Sequence, residues 1–183
     1  MKINYALLIT GLTAGLVSSF AFADDNAADT DINNVLTQSG IVKIEWLEPS
    51  SFRDIDSSSG LQSRFEQRLF DTLTKALDKD AKKSLKANQT LELVVTNLDL
   101  AGDMRPTFGA AAVSELRIVK DLYPPRMTFS YRVLEDGKVI MVGDEKLTDM
   151  NFMHHVGVRK DGMAEYESRM LADWLKKTVA PKA

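Results

Sequence analysis

The chain has 183 residues, 44% of them hydrophobic and 27% charged, with ten Gly, five Pro and no Cys. That composition suits one globular domain with a real core and excludes a disordered chain, a collagen-like repeat and a disulfide-stapled scaffold. Lys and Arg number 23 against 26 Asp and Glu, a net charge of −3, which is too acidic overall for a bulk nucleic-acid binder.

Residues 1–23 read as a cleavable signal peptide. Lys2 supplies the positive start and Tyr5 to Phe20 an apolar stretch, and Ala21-Phe22-Ala23 offers small residues before Asp24 and Asp25. Gly11, Thr13, Gly15, Ser18 and Ser19 interrupt the stretch, which argues against a membrane span of about 20 strongly apolar residues. Cleavage after Ala23 leaves residues 24–183. With no cysteine to carry a lipid, the product has no membrane anchor, and its expected location is a bacterial periplasm.

Residues 24–40 are rich in Asp, Asn, Ala, Thr and Ser and predict a flexible N-terminal lead before a single domain at 41–183. Val42, Ile44 and Trp46 alternate with Lys43 and Glu45, the period of a half-buried strand. Ser59 and Gln62 have the spacing of a capping box. After them Leu61, Phe65, Leu69, Leu73 and Leu77 recur every fourth residue, predicting a helix whose outer face carries Arg64, Gln67, Arg68 and Lys75.

Gln89 to Leu100 predicts a second strand, with Leu91, Leu93 and Val95 on one face and Val94, Thr96, Leu98 and Leu100 on the other. Apolar content on both faces suggests a central strand covered on both sides near its end. Ala101-Gly102 breaks it. A long irregular segment, 103–125, follows, with a short strand at Glu115 to Val119. Met127, Phe129, Tyr131 and Val133 alternate with polar residues, and Asp136-Gly137 is a two-residue hairpin turn leading to a return strand from Lys138 to Leu147. A C-terminal helix opens near Asp161-Gly162 and carries Met163, Tyr166, Met170 and Trp174 on one face to about Thr178. These elements compose an α+β two-layer sandwich: a mostly antiparallel sheet of about four to five strands with two amphipathic helices on one face.

Several stretches together resemble a bacterial family catalogued as domain of unknown function 3016. They are Trp46-Leu47-Glu48-Pro49 with Phe52-Arg53-Asp54-Ile55, Asp99-Leu100-Ala101-Gly102, Tyr123-Pro124-Pro125-Arg126, Leu147-Thr148-Asp149-Met150, Tyr166-Glu167 and Asp173-Trp174. The resemblance implies an exported proteobacterial protein and brings no catalytic residues with it.

Three chemistries are compatible with the side chains. Arg105, Arg117 and Arg126, with Asp99, could bind a small anionic ligand, although interspersed acids favour an ordinary ion-paired surface. His154 and His155 are the two histidines, and with Asp149 they offer ligand types suited to zinc or a related ion; Met150 and Met153 extend that set toward Cu(I). Asp54 with Asp56, or Asp99 with Asp103, could work as paired carboxylates, or serve turns and strand ends. There is no Gly-x-Ser-x-Gly elbow, no nucleophilic cysteine and no Gly-rich phosphate loop.

The pattern favours a non-enzymatic binding or accessory protein of the cell envelope, with an envelope protein as partner, no cofactor and no nucleic acid. A small metal-dependent hydrolase or metal-handling protein using His154 and His155 is the alternative. On the first reading, segment 103–125 makes the contact, and deleting residues 105–122 should spare the fold but abolish partner capture.

Overall fold

The computed structural model describes residues 33–57, 60–106, 115–155 and 162–180. The expected signal peptide and Ser59 of the expected capping box lie outside the described residues. The fold is α+β: a five-stranded, mostly antiparallel sheet, two helices, and a separate two-stranded ladder. The strands are β1 (Val35–Ser39), β2 (Val42–Trp46), β3 (Gln89–Asp99), β4 (Asp103–Pro106), β5 (Glu115–Ile118), β6 (Arg126–Glu135) and β7 (Lys138–Thr148). The helices are α1 (Gln62–Ser84) and α2 (Glu165–Trp174), the second continuing through a π-helical turn, Leu175–Val179.

The large sheet runs β1-β2-β3-β6-β7, and β4 pairs with β5 alone. Only β2 and β3 are parallel. A parallel pair needs a long crossover, and α1 supplies it. The β6–β7 turn places Asp136 and Gly137 at φ 50° and 77°, the paired positive angles that the sequence predicts for a two-residue hairpin. Asn88 anchors that turn: its carbonyl accepts the Asp136 N–H at 3.0 Å and its amide donates to Asp136 Oδ2 at 2.8 Å.

Two features depart from the simple alternation. Residues 35–39, expected within the flexible lead, form β1 and pair with β2 from Val35↔Trp46 to Ser39↔Val42. Thr37 is buried there because it has partners, accepting the Trp46 indole N–H at 2.9 Å and lying 2.7 Å from the Thr74 hydroxyl of α1. Strand β3 carries an irregularity between Val95 and Asn97. The extra residue shifts the side-chain parity, so Leu98 joins Leu91, Leu93 and Val95 on the buried face. Thr90 and Thr96 on the other face are exposed, but β3 is the central strand of the sheet and Leu98, Asp99 and Leu100 are all buried, so the cover on both sides is confined to its end, as expected.

The main core joins strands of the large sheet to both helices. Trp46 of β2 stacks on Phe70 of α1 at 4.3 Å between centroids. Trp174 of α2 meets Phe129 and Tyr131 of β6 edge-on at 4.9 and 5.1 Å. Leu69, Leu73, Leu77 and Ala81 continue the apolar stripe of α1, whereas Leu61, expected to begin it, precedes the helix and is 61% exposed.

Asp78 fixes α1 to the β1–β2 turn. It accepts the Ile41 N–H at 3.0 Å and the Ser39 hydroxyl at 3.3 Å, and pairs with Lys82 at 2.6 Å. Burial alone would raise its pKa, but these three donors outweigh it and hold the carboxyl below its ordinary range.

Candidate functional site

Strand β3 ends at Asp99, and ionisable groups from five segments converge on that end. Asp99 is buried and sits opposite Arg126, the first residue of β6, whose Nη1 donates to Asp99 Oδ2 at 2.9 Å. Arg53 forms an isolated parallel bridge to Asp99 from the stretch after β2. The next residue, Asp54, takes a left-handed backbone at φ 51°, and its carboxylate and carbonyl oxygens both accept from Arg117 of β5, at 2.8 and 2.9 Å. A two-point grip of this kind fixes guanidinium orientation as well as charge.

The turn beyond Asp99 explains why Ala101-Gly102 stands there. Ala101 donates its N–H to Glu167 Oε1 of α2 at 2.7 Å, and Gly102 donates to the Tyr123 carbonyl at 3.0 Å. Gly102 has φ +97°, and a Cβ there would lie 2.8 Å from the Ile118 carbonyl oxygen and 3.2 Å from Arg117 Cγ. Glycine is therefore required both by conformation and by the closeness of β5. Ala101, Phe152 and Tyr166 form a small second core beside this turn, with Val119 and Met153 against it.

Glu167 is 2% exposed. Burial is the main cause that raises its carboxyl above the usual range, and Asp99 adds to it. The Ala101 N–H, the N–H of Glu167 itself and Arg117 oppose the rise without cancelling it. Asp54 is also raised, first by burial; Arg117 acts against that, and Asp99 and Asp103 act with it. Because the folded state holds the Glu167 proton more tightly than the unfolded chain, stability falls as pH rises from the unfolded value near 4.5 through the native one. Glu167→Gln removes that proton. Its urea midpoint is expected to lose less than the wild type's between pH 4.5 and 8, and parallel pH profiles would refute the assignment.

The expected anion-binding arginines are thus distributed among acids of the chain itself. Arg126 meets Asp99, Arg117 meets Asp54, and Arg105 pairs through Nε with Asp103 at 2.6 Å while donating to the Tyr123 hydroxyl at 2.9 Å. Of the two carboxylate pairs considered, Asp99 and Asp103 flank the turn and each holds its own arginine. Asp54 is committed to Arg117.

Two of the three expected metal ligands, Asp149 and His155, meet, and His154 does not join them. Asp149 Oδ2 lies 2.6 Å from His155 Nε2, and Asp149 Oδ1 accepts the Asn151 N–H at 3.0 Å. His154 is exposed, as is Met150, while Met153 packs in the second core. Among the described residues, no group of three or more His, Asp or Glu is placed to hold a metal ion.

Glu167 and the Asp54–Arg117 grip went unrecognised in the sequence. For Glu167 a signal exists: it lies four residues after Met163 and seven before Trp174, so an acid occupies the apolar face of α2. For Asp54–Arg117 none does, since 63 residues separate the partners.

A family model described as "Protein of unknown function (DUF3016)" matches residues 40–177, and the chain belongs to that family. The match takes in β2 through α2, including the whole cluster at the end of β3. No curated protein and no solved structure matches the chain.

Proposed function

We propose that the chain is an exported, non-enzymatic binding or accessory protein of the cell envelope, released into the periplasm by cleavage after Ala23. We read its fold as a two-layer sandwich, with both helices on one face of the sheet. The observation that carries the binding role is the β4–β5 ladder. It pairs with no strand of the main sheet, and the arm it belongs to exposes Leu116 at 56% and Leu122 at 72%. Apolar side chains on an arm held at its base by Gly102, Arg117 and Tyr123 suit contact with a protein partner. Asp54, Asp99 and Asp103 at the base are each committed to an arginine, which supports the non-enzymatic reading.

The base also revises one expectation. Deleting residues 105–122 would remove Arg117 from Asp54 and Ile118 from Gly102, so the segment is part of the fold and its deletion is not a neutral test. A point variant is better. Leu116→Asp with Leu122→Asp should keep the wild-type free energy of unfolding within about 0.5 kcal/mol, as exposed substitutions do. It should also lose the cross-linked envelope partner formed by the wild type in its own host. Retention of that adduct by the variant would remove the arm from the proposal, and a chain found in the cytoplasm with residue 1 in place would remove the export.

A further inference from the structure

Helix α1 presents one face to the core through Leu69, Phe70, Leu73, Leu77 and Ala81. The opposite face is basic along its length. At about 100° per residue, Arg64, Arg68, Lys75, Lys79 and Lys82 fall within an arc of about 60°, and they are the only helix positions between 64 and 82 that do. All five are exposed. Lys82 shares Asp78, whereas Arg64, Arg68, Lys75 and Lys79 have no carboxylate of the described residues within ion-pairing distance. The nearest acid flanking the arc, Asp71, accepts a hydrogen bond from Gln67.

Such segregation is unusual in a chain whose net charge is −3. Exposed helix faces ordinarily mix both signs, because Glu and Lys four residues apart stabilise the helix. Here the arc forgoes those pairs, and the row of cations spans about 27 Å along the axis. Leu61 extends the same line one turn before Arg64 and is 61% exposed, placing an apolar side chain at one end of the row.

We propose that this face of α1 seats the protein on an anionic lipid surface. A straight row of long cationic side chains on a convex helix is complementary to a plane of negative headgroups. Lys and Arg stems reach it while the apolar face stays in the core, and Leu61 can enter the headgroup boundary. The row has no aromatic side chain to stack bases, which favours a lipid plane over a nucleic acid. Among the described residues no helix is long and apolar enough to cross a membrane. The inference rests on α1 alone and is independent of the β4–β5 arm.

The test is co-sedimentation of the chain, as its host produces it, with vesicles of 30% phosphatidylglycerol in phosphatidylcholine and with vesicles of phosphatidylcholine alone. Binding to the anionic vesicles is expected to fall steeply with added salt. It should drop at least tenfold in Arg68→Glu/Lys75→Glu/Lys79→Glu and stay unchanged in the equally charged control Lys120→Glu/Lys138→Glu/Lys146→Glu. Urea midpoints of both variants establish that they fold. Equal loss in the two variants would show a net-charge effect and overturn the proposal, as would equal binding to neutral vesicles. A 20-base-pair DNA duplex that displaces the protein from anionic vesicles at lower phosphate concentration would assign the face to nucleic acid instead.

Discussion

Replacing Trp46 by Ala should destabilise the protein by about 3–5 kcal/mol, the cost of emptying a large aromatic site in a packed core. Trp46 is fully buried, stacks on Phe70 at 4.3 Å, and carries the β2 side of the contact with α1. It also has a polar role. Its indole N–H donates to Thr37, which lies against Thr74, and the Thr74 hydroxyl donates to the Phe70 carbonyl at 2.7 Å. Losing the donor leaves a buried hydroxyl oxygen short of a partner, a further penalty of about 1–3 kcal/mol where no water can enter. Trp46→Phe separates the two effects, since it keeps most of the apolar contact and removes only the donor. Urea denaturation should rank wild type, then Trp46→Phe, then Trp46→Ala. A Trp46→Ala free energy of unfolding within about 1 kcal/mol of wild type would mean that β1 and α1 are not joined through this residue.

Gly102→Ala should be strongly destabilising. At φ +97° an L side chain is strained by about 1–3 kcal/mol. The new Cβ also meets the Ile118 carbonyl oxygen at 2.8 Å, and a backbone atom paired in a ladder cannot swing aside as a flexible side chain would. Relief requires β5 to move, which draws Arg117 away from Asp54 and the Ala101 N–H away from Glu167. Amide exchange should therefore accelerate at Ala101 and Gly102 and across β4 and β5, while Leu93 and Tyr131 in the main sheet keep their protection. Unchanged exchange at Ala101 would show that the turn does not couple β5 to Glu167.

Much of this architecture was legible because local patterns and tertiary structure agree. The stripe from Leu69 to Leu77 gives α1, Met127 to Val133 gives β6, and Asp136-Gly137 gives the turn that joins β6 to β7. What stayed hidden depends on partners distant in sequence. Val35–Ser39 looks polar and unstructured, yet Thr37 is buried once Trp46 and Thr74 satisfy it. The alternation of β3 misplaces Leu98 because one extra residue near Thr96 reverses the faces, and periodicity alone cannot register a bulge. The candidate site was half visible. Asp99-Leu100-Ala101-Gly102 stands out as an acid at the end of an apolar strand, but which arginine it takes is decided by the pairing of β3 with β6. His154 and His155 are adjacent in sequence and diverge in space, one exposed and the other held by Asp149.

In the function proposed above, the β4–β5 arm is the surface by which the exported chain meets an envelope partner. The most direct measurement places a photo-reactive amino acid at Leu122, and separately at Lys43 on the exposed side of β2, in cells of the native host. The account predicts a discrete protein adduct from position 122 in the periplasmic fraction, weakened when Gly102 is replaced by Ala and absent from position 43. The same adducts from both positions, or none from position 122 in a chain shown to be exported and folded, would contradict it.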